Sequence, residues 1–332
     1  MPSTRRGLSL MLGLLVASAY GASAGAQAII TNGTVALGVD TYGQLNVPNG
    51  TSGVALPISN SLYVGVYSYA VGGDGTSPGC LCEGFGIAAN GTSGWADGEF
   101  GVSGLTAPTF SSTATTATAV TGLSALRGFT VKHEYALSAV EDLFVGKVTL
   151  HNGTGAAISD VRYNRTMDWD IPPTGLVSFV TIGGWPAPAL LDSCDDAFQT
   201  PDPLVTSTPI VGPCNSNVVD SGPDDHGARF NFAFGSLADG EDKTFNIFYG
   251  AATSEAAAFA DLIAVGAEVY SLGQCATGLA EGCDAVAGTP ATFIFAFSGA
   301  GGTAVPEPAS LTLLGAGLAM FVRRYWKSRQ KR

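Results

Sequence analysis

The chain has 332 residues, 46% of them hydrophobic and 13% charged, so it can bury a substantial core and does not read as a disordered chain. Its net charge of −12 is unevenly spread: eight of the 15 Lys and Arg lie at the two ends, whereas 26 of the 27 acids lie between them. Such an acidic body repels phosphate backbones, which argues against nucleic acid as a partner, and it can attract divalent cations.

Residues 1–28 read as a secretory signal peptide. Arg5 and Arg6 form the positive start, Leu8 begins a short apolar stretch, and small residues follow with Ala-x-Ala sites at Ala22-Ser23-Ala24 and Ala26-Gln27-Ala28. Cleavage by signal peptidase is placed after Ala28, because strand-like Ile29-Ile30 follows at once. The adjacent arginines fit an ordinary signal better than a twin-arginine one.

The body, 29–303, reads as strands and turns. Many of its glycines stand in Asn-Gly, Gly-Gly and Asp-Gly pairs, which suit tight turns between short strands. Asn-Gly-Thr occurs at Asn32, Asn49, Asn90 and Asn152. The first two predict hairpins joining 28–30 to 35–39 and 45–47 to 54–56. The same triplets, with Asn164-Arg165-Thr166, match the N-glycosylation spelling, but in a bacterial chain they read as turns. Further strands are predicted at 62–71, 84–89, 127–137, 143–151, 161–170, 176–182, 229–234, 244–249 and 292–297. Residues 111–121, rich in Ser, Thr and Ala, read as an exposed strand or loop. Phe230, Phe232 and Phe234, and likewise Phe293, Phe295 and Phe297, alternate with other residues, which marks a buried sheet face rather than a sugar-stacking platform. One packing helix is predicted near 254–267, with Ser254 as its N-cap and Glu255 in its first turn. The fold class is therefore all-β, a mainly antiparallel sandwich or supersandwich with one helix, plus a C-terminal transmembrane helix.

Six cysteines in an exported chain point to disulfides. Short loops cost least to close, which favours Cys194 with Cys214, and Cys275 with Cys283. Cys80 and Cys82 are then left to each other, with metal binding as the alternative. The stretch 192–226 reads as a long loop pinned by cysteine.

The C-terminal segment carries the most specific pattern. Val305-Pro306-Glu307-Pro308-Ala309-Ser310 precedes an apolar run to Val322, and six basic residues, Arg323 and Arg324 first, close the chain. The two prolines hold an extended, readable peptide. Residues 309–322 would span about 21 Å as a helix at ~1.5 Å per residue, short of a ~30 Å hydrocarbon core. Snorkelling Arg323 and Arg324, with Tyr325 and Trp326 at the interface, can extend that reach. The basic tail stays cytoplasmic and the body faces outward.

This tail, 304–332, resembles the PEP-CTERM sorting signal of Gram-negative bacteria that make extracellular polysaccharide. The resemblance implies processing by an exosortase, a membrane peptidase, with Pro306, Glu307 and Pro308 as the recognition motif. It also implies an inner-membrane intermediate followed by an outer-surface or matrix location, with exopolysaccharide as a partner. The opening run Ile30-Thr31-Asn32-Gly33, Leu37-Gly38-Val39-Asp40 and Gly43-Gln44-Leu45 looks like the first hairpins of carbohydrate-related β-supersandwiches. The stretch Tyr163 to Pro173 looks like a pattern of uncharacterised bacterial surface proteins.

Catalytic chemistry has little support. Asp168 and Asp170 sit two apart at a strand end, so both carboxylates point to one face. They read first as caps of backbone donors before Pro172-Pro173, next as Ca²⁺ ligands, and last as a glycosidic acid–base pair. Asp192, Asp195 and Asp196, and Asp220, Asp224 and Asp225, pose the same choice between solvated loop and calcium. Asp224-Asp225-His226 is the one oriented-base candidate, and neither a His-Glu-x-x-His motif nor a phosphate loop is present. The expected function is that of a non-enzymatic surface protein. The alternatives are a carbohydrate-binding or carbohydrate-active domain, with a groove lined by Trp95, Trp169 or Trp185, and a calcium-stabilised adhesion module.

Overall fold

Strict alternation sets the core strands. In Phe129–Leu137 the side chains of Phe129, Val131, His133 and Tyr135 are buried while Thr130, Lys132 and Glu134 between them are partly exposed, the period-2 signature of a strand with one covered face. The computed structural model describes residues 27–302, 304 and 305, in which nearly all regular structure is antiparallel β. A nine-stranded sheet runs edge to edge through Thr109–Ser112, Ala117–Gly122, Phe129–Leu137, Leu143–Asn152, Asp242–Ala252, Thr292–Ser298, Val269–Cys275, Ser178–Gly183 and Val218–Asp224. A six-stranded sheet runs through Leu190–Cys194, Gly227–Leu237, Ile158–Asp168, Glu83–Ala89, Thr92–Asp97 and Gly101–Ser103.

The two sheets pack face to face through aromatic rings. Phe230 lies 5.5 Å from both Phe295 and Phe297, Phe232 lies 4.8 Å from Phe297, and Tyr163 meets Phe245 at 5.0 Å, ring centre to ring centre. Each pair joins one sheet to the other, so the alternating phenylalanines are core. This gives a sandwich-like arrangement. A smaller sheet of Ala28–Thr31, Val35–Val39, Val66–Ser68 and Gly73–Asp74 closes one side.

The helix Glu255–Ala264 lies on the outer face of the nine-stranded sheet, where Ala258 and Leu262 pack with Phe248, Leu272 and Ile294. Burying Leu262 contributes about 2 kcal/mol. Ser254 caps it by accepting from Ala257 N at 3.2 Å. The helix stops three residues short of the predicted 267. Gly266 takes φ +64°, its N–H donates to Ile263 O at 3.1 Å, and Ala267 N donates to Leu262 O at 2.8 Å, which satisfies the last carbonyls and turns the chain away.

One predicted hairpin is corrected. Residues 45–47 and 54–56 do not pair; Val47–Pro48 pairs instead with Tyr63–Val64. The cause is the Asn49 side chain, which accepts from Leu56 N and donates to Leu56 O, each at 2.8 Å, and so replaces a strand rung. Asn152 is buried at a strand end; its Oδ1 accepts from Thr154 N at 3.1 Å in a local turn, and its amide donates to Leu237 O and Ala238 O at 2.9 Å. Asn32-Gly33 does connect Ala28–Thr31 to Val35–Val39. Asn90 and Gly91, both left-handed at φ 51° and 73°, make a two-residue hairpin between Glu83–Ala89 and Thr92–Asp97.

The stretch 192–226 is less of a loop than expected, since it starts in Leu190–Cys194 and ends in Val218–Asp224. Disulfides join Cys194 to Cys214, Cys275 to Cys283, and Cys80 to Cys82. The predicted hydrophobic part of the signal peptide, the Pro306–Glu307–Pro308 motif, the 309–322 helix and the basic tail with Arg323 and Arg324 lie outside the described residues. Among the described residues no helix is long and apolar enough to cross a membrane.

Candidate functional site

The acidic pair lies at a junction between the two large sheets. Asp168 ends the strand Ile158–Asp168 and pairs across from Gly227. The chain then runs on extended: Asp168 N donates to Cys82 O at 3.0 Å, and Asp170 N donates to Gly75 O at 2.8 Å. The period of two puts Asp168 and Asp170 on one side and Trp169 on the other. Trp169 is fully buried, its indole N–H donates to Ser271 Oγ at 2.9 Å, and its ring packs on Gly273, where a Cβ would fall 2.8 Å from the indole. Trp169 is thus a core anchor that fixes its two acidic neighbours, and the expectation that it lines a sugar groove is overturned.

Asp225 joins them from a distant part of the chain. It sits in the turn that carries the edge strand Val218–Asp224 of the nine-stranded sheet into Gly227–Leu237 of the six-stranded sheet. One carboxylate oxygen from each of Asp168, Asp170 and Asp225 lies within 4.8 Å of the others. Asp168 and Asp170 are buried, and Asp225 is half-buried. Both oxygens of Asp170, Oδ1 of Asp168 and Oδ1 of Asp225 have no hydrogen-bond partner. Oδ2 of Asp168 lies 3.4 Å from Cys80 Sγ, but that sulfur is bonded to Cys82 and has no proton to donate.

Burial and mutual repulsion act together here. Burial first, then the charge of Asp225, pushes the Asp168 carboxyl up to about 8. Burial, then Asp168, Asp225 and Asp74, pushes Asp170 up to about 9. Burial and neighbouring Asp224 raise Asp225 as well. Gly79, at φ +71°, borders the cluster: a Cβ there would meet Leu176 at 2.6 Å and stand 3.5 Å from Asp170 Oδ2.

Asp195 and Asp196 are engaged elsewhere. Asp195 Oδ1 accepts from Ile210 N at 2.8 Å, and Oδ2 accepts from Val211 N at 2.9 Å and Gly212 N at 2.7 Å, with His226 Nδ1 at 3.3 Å. Burial pushes its carboxyl up, but the His226 bond and the three backbone donors outweigh burial and hold it down at about 2. Asp196 accepts from Phe198 N, Gln199 Nε2 and Thr208 Oγ1. Both are clamps on the loop closed by Cys194 and Cys214. The oriented-base reading of Asp224-Asp225-His226 also changes, because His226 meets Asp195 rather than Asp224 or Asp225.

Of the remaining histidines, His133 is buried beside Tyr163 Oη at 3.0 Å, and burial holds it neutral. His151 is exposed and faces Asp242 at 2.6 Å. The spelling Gly75-Thr76-Ser77-Pro78-Gly79 has the spacing of a nucleophile elbow, but Ser77 is buried and donates to Tyr63 O at 2.9 Å, and no helix follows.

The sequence reading missed a buried ionic network in the core. Arg165 and Glu83 are both fully buried and paired, and Arg165 also donates to Gly43 O at 3.2 Å and Tyr135 Oη at 3.3 Å. Its guanidinium lies 5.8 Å from the Phe85 ring centre and 5.6 Å from that of Tyr249. Glu83 further accepts from Leu45 N. The only local hint was Glu83, which opens a strand otherwise made of Gly, Ala, Phe and Ile.

In comparison with known proteins, the PEP-CTERM protein-sorting motif matches residues 304–328. No curated protein matches the chain.

Proposed function

We propose that this chain is an exported surface protein, delivered by exosortase and working without catalysis within or upon an exopolysaccharide matrix of a Gram-negative bacterium. The observation that carries the reading is the sorting motif at 304–328. In this account signal peptidase removes residues 1–28, and residues 309–322 hold the chain in the inner membrane. Arg323 and Arg324 stop transfer, and the exosortase then acts near Pro306–Glu307–Pro308. The body fits such a route. It is a disulfide-bearing β domain with an acidic surface, suited to an oxidising exterior. Its last described backbone hydrogen bond, Val305 N to Ala267 O at 2.7 Å, immediately precedes the motif. Val305 also packs against the cluster beneath the helix, so the folded body reaches the residue before Pro306.

Deletion of Pro306–Glu307–Pro308 in the native host tests this. The variant is expected to accumulate in the inner membrane with its tail uncut. Release into the medium at the wild-type level would count against exosortase handling. Co-sedimentation of the released protein with exopolysaccharide from the same strain tests the matrix role, and protein that stays free in the supernatant would remove it.

A further inference from the structure

We propose that Asp168, Asp170 and Asp225 bind a divalent cation, Ca²⁺ by the chemistry of the ligands, at the junction of the two large sheets. This goes beyond the sorting reading and does not depend on it. Three carboxylates alone are not a site, since acids often cluster on solvated loops. The decisive observation is that the Asp170 carboxylate is fully buried, borders both other acids, and has neither oxygen satisfied. Buried polar atoms are paired in the great majority of folded proteins, and a carboxylate with no donor is among the costliest to leave unpaired.

Among the described residues no Lys or Arg forms a salt bridge with the cluster. Lys132, Arg162 and Arg165 pair with Glu134, Asp160 and Glu83, and the Arg229 guanidinium donates to Thr200 O, Asp202 O and Val205 O. Asp74, Asp196 and Asp224 repel the cluster, and the one opposing influence is His226 on Asp225, whose ring is turned to Asp195. Asp74 already accepts from Gly65 N and Thr76 N. A bound cation would satisfy the orphaned oxygens and cancel the repulsion at once.

The donor set selects the ion. It is all carboxylate oxygen, with no imidazole, and the nearby sulfurs of Cys80 and Cys82 are tied in a disulfide and cannot act as thiolates. Hard oxygen ligands suit Ca²⁺, Mg²⁺ or Mn²⁺ rather than Zn²⁺ or Cu⁺. Three carboxylates offer up to six oxygens, near the 6–8 that Ca²⁺ takes, and half-buried Asp225 leaves a side open to water and to ion entry. Because Asp225 lies on the crossover between sheets and Asp168 ends a central strand, the ion would tie the crossover to the strand end.

Trp169, set between two of the ligands, provides the readout. The full-length protein, purified in detergent and stripped with chelator, is titrated with Tb³⁺ under excitation of tryptophan. Sensitised emission saturating at one equivalent, displaced by Ca²⁺, is expected, together with a melting temperature several degrees higher in Ca²⁺ than in chelator. Asp170→Asn is expected to weaken binding at least 100-fold while melting like the stripped wild type, because the amide keeps the size of the carboxyl and removes its charge. Asp225→Asn, at a half-exposed position that tolerates the change, is expected to weaken it at least 10-fold. Asp224→Asn, an exposed neighbour, should leave binding intact. Absence of sensitised emission and of a Ca²⁺-dependent melting change in the wild type would overturn the site, as would full Ca²⁺ binding by both Asp170→Asn and Asp225→Asn.

Discussion

Replacing Arg165 by Met tests how the core is held together. Met roughly matches the length of the arginine stem, so packing is largely kept while the charge is lost. The guanidinium bonds to Glu83, Gly43 O and Tyr135 Oη would all be removed from a site with no exposure. Glu83 would remain buried with Leu45 N as its main donor. Removing one partner of a buried pair costs about 3–5 kcal/mol, because the other charge is left without compensation. Burial already pushes the Glu83 carboxyl up even with Arg165 beside it, so in the variant it would take up a proton and the loss should fall toward the lower end. For residues 27–302 unfolding as a unit, about 2.1 cal/mol/K per residue gives roughly 0.6 kcal/mol per degree, so the melting temperature should fall by about 5–8 °C. Urea unfolding of Arg165→Met, Glu83→Gln and the double variant measures the coupling directly. The double variant should be at least about 2 kcal/mol more stable than the sum of the single losses implies. A loss below about 1 kcal/mol in Arg165→Met, or strict additivity, would refute the reasoning.

Two further outcomes are expected. Asp195 titrates near 2 in the fold against an ordinary 3.8, so its clamp contributes on the order of 2 kcal/mol that is fully present above pH ~4 and lost as pH falls toward 2. Asp195→Asn should therefore flatten the stability profile between pH 4 and 2 in acid-unfolding measurements, and an unchanged profile would show that the clamp is solvated. Replacing both Cys194 and Cys214 by Ala opens a closure 20 residues apart and should cost about 3 kcal/mol, read as a lower denaturant midpoint. An unchanged midpoint would mean that the Asp195 and Asp196 bonds hold the loop by themselves.

The sequence reveals those strands whose large apolar side chains alternate. Phe129–Leu137, Gly227–Leu237 and Thr292–Ser298 belong to this group, because one covered face leaves a period of two in the residues. Thr92–Asp97, Gly101–Ser103 and Thr109–Ser112 left no such trace. They are short, rich in Gly, Ser and Thr, and carry one large apolar residue each (Trp95, Val102 and Phe110), too few to show a period. Asn-Gly predicted a tight hairpin well at Asn32 and Asn90, whereas at Asn49 it marks a turn but not the expected strand pairing, since the same amide that tolerates a turn can also bond to more distant backbone. The spacing of Asp168 and Asp170 was legible as two carboxylates on one face. Their meeting with Asp225 was not, because it depends on a crossover between sheets that no local pattern encodes. Arg165 and Glu83 were illegible for a related reason: a charge on a strand reads as solvent-facing until its partner on the neighbouring strand is known.

The most direct measurement of the central claim is the mass and terminal peptides of the protein recovered outside the cell. The account predicts a chain that begins at Ile29 and ends close to Pro306–Glu307–Pro308, with residues 309–332 missing. Extracellular protein that still carries Arg323, Arg324 and the final Arg332, or a chain found only in the cytosol with Met1 intact, would contradict it.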